Sequence, residues 1–585
     1  MTRFPVHLRW VLLSVLVALA YLIGLGGDHI PRNGDELVYA NIARLTAASG
    51  HWLPLQSAWD FMRNTKPPLL FWQGMVAGGW GDHWTLLNLR LPSLFYTWAT
   101  ALMVGALTWR IAKANAFEAA FDDTLHPVTT AAIAALVYLS FFCTYRYGRP
   151  YMTSAPETFW LGGIFLALAW SPEALLASTW KAPLLAAIAL GIGCLYKSFA
   201  MVVPVGFGLA LCYQVVGARR APWAIVRPGI VFDALRVTAI CMVALGIFGL
   251  WFALDPLPGE VWREFVVGEN AGKFKSSPGY FKVAFSGNSG WFTILTGYFT
   301  NALFLLPVSM GCAVAGFKSW RARQKIGTTI SAAEKVLWLW MLALMLVFML
   351  PNQRSTRYLI PAMPAVAVVM ALYWQRIARG WFIATLVVCA LGALAMGLIA
   401  FGGVSATQNT GLYSPLFWVY LIALFAACVL GIAKPAWTRV VASTAAFGVL
   451  LALAGVTLPF NNDALARFKP ASNASMQGQT VAVPSNFNGH FERYEFIIPG
   501  AKIVDYFAEQ PVDVPEAEVV KLLQKNRYVL VQRRLGQVPC TACRIVDERW
   551  DLRSRQDEKD GTMAAFKTPE TYWFAKEYMV ERLAP

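Results

Sequence analysis

The chain has 585 residues, 57% of them hydrophobic and only 14% charged, with a mean hydropathy of +0.49. Soluble globular proteins carry about 25% charged residues, so a water-exposed surface for a chain this long is excluded, as are disorder, a collagen-like fibre and a disulfide-rich secreted scaffold. The net charge of +16 lies wholly in residues 1–459, which hold 32 Lys and Arg against 16 Asp and Glu, while residues 460–585 hold 17 of each.

Thirteen apolar runs are long enough to cross about 30 Å of hydrocarbon. They lie near 10–27, 91–112, 128–145, 156–171, 182–198, 200–217, 236–254, 291–317, 335–351, 358–374, 381–402, 414–433 and 438–458. The expectation is a polytopic α-helical membrane protein, with a transmembrane domain over 1–459. Ala18-Leu19-Ala20 resembles a cleavage site, but the run stays apolar through Leu25, so it reads as an uncleaved span. Arg3/Arg9, Arg110/Lys113, Arg219/Arg220/Arg227, Lys318/Arg321/Arg323/Lys325, Arg376/Arg379 and Lys434/Arg439 fall on one side of these spans. By the positive-inside rule that side is the cytoplasm. Residues 28–90, 146–156, 255–290, 352–357 and the tail are then external. A basic excess confined to the apolar part fits topology signals, membrane lipids or phosphate better than nucleic acid.

The stretch 28–90 is too polar to span. Glu36–Thr46 and Leu69–Trp80 read as short helices along the membrane surface, with Trp52, Trp59, Trp72, Trp80 and Trp84 at headgroup level. The tail, 460–585, has soluble composition and reads as a small α/β domain. Strands are expected at Thr480–Val483, Tyr528–Val531 and Tyr572–Met579, and a helix at Pro515–Lys525. Cys540 and Cys543 stand apart from the seven cysteines in apolar runs; a local disulfide is expected, with a free thiol pair as the alternative.

Three constellations could carry chemistry. Asp35 and Glu36 open a helix just outside the first span, where they could act as base or metal ligand, or merely cap the helix. Lys66-Pro67-Pro68 fixes a lysine sharply before a helix, either to hold a lipid phosphate or to snorkel. Tyr145-Arg146-Tyr147-Gly148-Arg149-Pro150-Tyr151 precedes Glu157 and can be a phosphate grip or an aromatic belt. Lys197-Ser198, Arg354 to Pro361, and Glu264, Glu269, Asn270, Lys273 and Lys275 extend one electropositive, aromatic face on the external side. The six histidines show no ligand spacing, so a divalent metal is possible but has no pattern behind it, and no cofactor fingerprint is present.

The acidic pair after span one, Lys66-Pro67-Pro68-Leu69, Arg90-Leu91-Pro92-Ser93, the Lys197-Ser198 step and Arg357-Tyr358-Leu359-Ile360-Pro361 together resemble the lipid-carrier-dependent GT-C glycosyltransferases. The closest likeness is to bacterial aminoarabinose–lipid A transferases, with protein O-mannosyltransferases as relatives; it covers residues 1–375 best. The resemblance implies a GT-C fold of about thirteen transmembrane helices in the bacterial inner membrane, with a periplasmic tail. It implies an undecaprenyl-phosphate-linked sugar donor and a lipid A or other envelope acceptor. Asp35 matches the family's catalytic carboxylate, and Glu157 stands roughly where a second acidic residue occurs, usually Asp. Lys66, Arg357 and Tyr358 match the carrier-phosphate contacts. Glu36 joins the catalytic candidates, and Arg149, Lys197, Lys273 and Tyr39 the phosphate candidates. Gly34 replaces a proline, Leu37-Val38 replace Gly-Arg, and the Glu usually preceding Lys-Pro-Pro is absent. These departures bear on the sugar and acceptor. A lipid transporter is the rival class, but it needs ionisable groups deep within spans, and here they cluster at span ends.

Overall fold

A computed structural model describes residues 6–583 except 32–33, 115–124, 217–227, 275–278, 287–288, 326–328, 462–463, 486–489 and 554–560. Asn33, Arg219, Arg220, Arg227 and Lys275 therefore lie outside the described residues, as does the side chain of Lys273. In the apolar part every regular element among the described residues is a helix. Six helices among the described residues are long and apolar enough to cross a membrane: Leu86–Lys113, Gly229–Leu254, Gly297–Lys325, Arg379–Thr407, Pro415–Ala433 and Pro435–Phe460. A seventh candidate is a pair bent by 63°, Pro127–Ser140 and Phe142–Gly148, broken where Phe141 adopts extended backbone. Other expected spans form shorter pieces. The run near 156–171 passes from Ser154–Glu157 through a π-helical segment Thr158–Gly162 into Gly163–Trp170. A Cβ on Gly162 would lie 2.6 Å from the Pro361 carbonyl oxygen, so glycine there permits the close packing of two segments that flank the site.

Four helices of the N-terminal part position the site. We label them α1 (Val6–Ala20), α2 (Asp35–Ala48), α3 (Leu69–Ala77) and α4 (Leu86–Lys113). The expected surface helix at Leu69–Trp80 ends at Ala77, because Gly78 and Gly79 follow and Trp80 takes a positive φ of 56°.

The tail carries one five-stranded sheet: β1 (Thr480–Ser485), β2 (Lys502–Phe507), β3 (Tyr528–Arg533), β4 (Cys543–Leu552) and β5 (Phe574–Arg582). Its order is β2-β1-β3-β5-β4, with β2, β1 and β3 parallel and β5 antiparallel to both β3 and β4. Strands β2 and β4 were not expected from the sequence. The helix Glu516–Lys525 falls where one was expected, and Cys540 and Cys543 are disulfide-bonded.

Charges tie the tail to these helices. Glu492, fully buried, accepts two hydrogen bonds from Arg44 (2.6 and 2.8 Å) and one from Asn41 (2.9 Å), both on α2. Arg493 bridges Asp28 (2.5 Å), in the connection between α1 and α2, and Asp551 (2.6 Å) on β4. Burial alone raises the Asp551 carboxyl, but Arg493, then a hydrogen bond from His29, then Arg549 hold it well below the usual range. The helix that begins with Asp35 is thus fixed from above by the sheet.

Candidate active site

A cavity of about 660 Å³ opens between α2, the 62–66 turn, the helix break at 197–201, the 266–271 segment and the 347–358 connection. Asp35, Tyr39, Lys66, Lys197, Arg357 and Tyr358 all line it. These residues are separated by up to 323 positions in the chain, and the fold brings them to one wall.

Local structure explains each placement. Asp35 is the first residue of α2, with its charge at the positive end of the helix dipole. It accepts a hydrogen bond from the Arg357 Nη1 at 3.2 Å, and both side chains are about one-third exposed. Arg357 is held by a short 3₁₀ turn that Ser355 caps through the Arg357 N–H. Its guanidinium also sits 5.8 Å from the centre of the Tyr147 ring. Pro68 starts α3 and leaves Lys66 just before it, where Nζ donates to the Thr65 carbonyl (2.8 Å) and to Glu269 (2.7 Å). Lys197 terminates the helix Lys181–Tyr196, where a cation complements the dipole. Ser198 caps the next turn and donates to Asn270 at 2.7 Å. Lys197 Nζ meets Glu157 at 3.0 Å and Thr153 at 3.4 Å.

Tyr39 is buried beside Asp35. Burial first, and the Asp35 charge second, raise its phenol well above the ordinary value, so it stays a neutral hydroxyl. The Tyr358 ring lies 4.9 Å from that of Phe348, tilted by 34° to it, and Phe348 also lines the cavity.

Three expected site residues are placed otherwise. Glu36 is fully buried and faces away from the cavity. It accepts from Arg90 Nε (2.7 Å), Arg90 Nη2 (2.9 Å) and the Tyr151 N–H (2.8 Å), while Arg90 Nη1 also donates to the Leu25 and Gly27 carbonyls at 2.6 Å. Both carboxylate oxygens are engaged, so in this structure Glu36 clamps α2 to α4 and lies outside the cavity. Arg149 is likewise buried, donating to the carbonyls of Tyr21 (3.0 Å) and Ile23, with the Tyr145 ring 4.4 Å away. It secures the end of α1 and does not line the cavity. Glu157, 1% exposed, lies behind Lys197 and anchors it instead of lining the wall.

The site also contains Glu269 and Asn270, whose part no local motif signals, since their partners Lys66 and Ser198 are 203 and 72 residues away. The same segment holds the 63–66 turn through Glu260 and Glu264: Arg63 pairs with Glu260, and the Asn64 amide donates to Glu264 at 2.9 Å. One group with metal-ligand types exists among the described residues, Asp28, His29 and Asp551. Arg493 already binds both carboxylates there, so a cation would have to displace an arginine.

The arrangement is a cavity at one end of a helical bundle, in which three cations each face a carboxylate. Anions with a hydrocarbon tail suit it, because its walls include Met152, Met201, Val203, Val347 and Leu350. The fold over nearly the whole chain is shared with solved structures of ArnT from Cupriavidus metallidurans. The form bound to undecaprenyl phosphate superposes with TM-score 0.59 and 17% identity over 97% of this chain and 98% of that one. The apo form gives 0.56 over 92% and 96%. Fold and cavity thus define a multi-pass membrane protein, and its fold is ArnT-like. The chain is 26% identical over 372 residues to the undecaprenyl phosphate-α-4-amino-4-deoxy-L-arabinose arabinosyl transferase 1 of Sodalis glossinidius, covering 63% of this chain and 59% of that protein. The relative of the same name from Pectobacterium carotovorum is 24% identical over 480 residues, 74% of this chain and 78% of its own length. No protein-family profile matches the chain.

Proposed function

We propose that the protein transfers 4-amino-4-deoxy-L-arabinose, or a related pentose, from undecaprenyl phosphate to a phosphate of lipid A. The observation that carries this reading is the convergence of Lys66, Lys197 and Arg357 with Asp35 on one cavity within the ArnT fold. The acceptor oxygen attacks the anomeric carbon, the bond from that carbon to the carrier phosphate breaks, and undecaprenyl phosphate departs with the bonding electrons. The transition state is oxocarbenium-like and the reaction inverting. Lys66, Lys197, Arg357 and the Tyr358 hydroxyl stabilise the charge that develops on the leaving phosphate. Asp35 orients the acceptor. An ionised lipid A phosphate needs little deprotonation, whereas a hydroxyl acceptor would rely on Asp35 as base.

In this reading the chain makes thirteen spans in the bacterial inner membrane, with 28–90, 255–290 and the domain 460–585 in the periplasm. Charged residues at the external ends of the helices, rather than along a path across them, favour transfer over transport. Mass spectrometry of lipid A and envelope proteins from wild-type and deletion strains tests the proposal. A pentosamine on lipid A that disappears on deletion is the expected result. Unchanged lipid A with an altered protein glycan overturns the acceptor, and a sugar lipid moved between leaflets of proteoliposomes without a new glycosidic bond overturns the reaction.

A further inference from the structure

The sheet has two unlike ends. One rests on the helices: Trp550 on β4 and Phe574 on β5 pack with Ala400, Val456 and Phe460. At the other end β3 begins at Tyr528, β4 begins at Cys543 and β5 finishes at Arg582, with Cys543 opposite Arg582 and Tyr528 opposite Glu581. The eight steps between the nine residues of β5, at about 3.4 Å each, put this end about 27 Å from the one on the helices.

At that far end the helix Glu516–Lys525 runs out and the chain turns into β3, leaving a hollow of about 560 Å³. Lys525, Arg527, Arg544 and Arg582 line it with one carboxylate, Glu581, which is ion-paired to Arg544. Among the described residues no carboxylate lies within ion-pair distance of Lys525, Arg527 or Arg582. Elsewhere in the tail Arg493, Arg534, Arg549 and Lys576 each meet one, whereas Lys502, Arg533 and Lys567 meet none among the described residues. The gathering of four cations against one carboxylate occurs in a segment whose charges sum to zero. Lys525 can be explained as a cation at a helix C-terminus. Arg527, its guanidinium 5.2 Å from the Tyr528 ring, and Arg582, at a strand end, have no such account. Like charges gathered around one concavity repel unless an anion joins them. A group with several acceptor oxygens and up to two negative charges matches the hollow best.

We propose that this hollow binds a phosphate group, free or carried on a lipid headgroup, and that it is separate from the cavity at Asp35. The test uses the full-length chain in nanodiscs, carrying Lys66→Ala so that the membrane cavity contributes little. Inorganic pyrophosphate is titrated by calorimetry in one arm, and phosphatidylglycerol vesicles are compared with phosphatidylcholine vesicles by co-flotation in the other. The companion protein adds Lys525→Gln, Arg527→Gln and Arg582→Gln, all at exposed positions. Binding should fall about tenfold or more in the companion and weaken with added salt. Loss in the pyrophosphate arm alone identifies a free phosphate, loss in the vesicle arm a headgroup, and both results support the site. Equal behaviour of the two proteins in both arms, or no binding of either probe, overturns it.

Discussion

Replacing Lys66 by alanine probes the cavity most directly, because its ammonium is paired with Glu269 at 2.7 Å and only 13% of its side chain is exposed. Two losses combine. A positioned cation stabilising a leaving phosphate in a water-poor site is worth about 2.7–4 kcal/mol, a 10²–10³-fold rate loss. Removing it also leaves Glu269 facing the incoming phosphate. Two like charges ~4 Å apart repel by about 4 kcal/mol at an effective dielectric of 20, less where solvent screens them. Glu269 is 31% exposed, so the discounted penalty is about tenfold in donor use. Lys66→Ala should therefore fall below the loss of the cation alone, and adding Glu269→Gln should recover about tenfold of it. Lys66→Arg should restore only part, since a planar fork places phosphate differently from a point charge. The assay is transfer from a synthetic polyprenyl-phosphate-linked sugar at limiting donor, followed by mass spectrometry of the acceptor. Normal turnover by Lys66→Ala would remove the residue from the site. An unrelieved Lys66→Ala/Glu269→Gln double variant would refute the charge argument.

Asp35→Asn keeps size and capping ability but removes the charge, so a folded protein with transfer lowered by about two orders of magnitude is expected; full activity in a stable variant would end the assignment. Glu36→Gln should act on stability instead: breaking its buried pair with Arg90 (2.7 Å) costs about 3–5 kcal/mol, read as lost expression or a lowered melting temperature in detergent. Arg149→Lys should likewise lower the melting temperature without changing donor dependence in the surviving protein, and a raised KM for donor would contradict its placement. Glu492→Ala should loosen the sheet from α2, so limited proteolysis should release the tail more readily than in the wild type. Cysteines introduced at Phe61 and Ser475, both exposed, should be labelled from the periplasmic side; cytoplasmic access to either would refute the thirteen-span topology.

Composition and periodicity alone determined that the chain is a helical membrane protein with a soluble tail, because hydropathy is a sum over local residues and needs no partner. Lys66 was legible for a similar reason: a double proline dictates local backbone, and a cation before it has few other places to go. Asp35 and Glu36 show where such reading stops. They are neighbours with the same chemistry, yet successive helical positions point about 100° apart, and only tertiary structure put one on the cavity and the other against Arg90. Strand β4 was missed because Cys543–Leu552 reads as charged surface, whereas Arg549 and Asp551 are buried against Glu577 and Arg493. An ion pair inside a protein is invisible in sequence when its halves are distant, and the pairs here span 203 residues for Lys66–Glu269 and 322 for Asp35–Arg357. Charge type and helix ends were written locally. Which charges meet was decided by packing, since a buried charge is tolerable only where the fold supplies its partner.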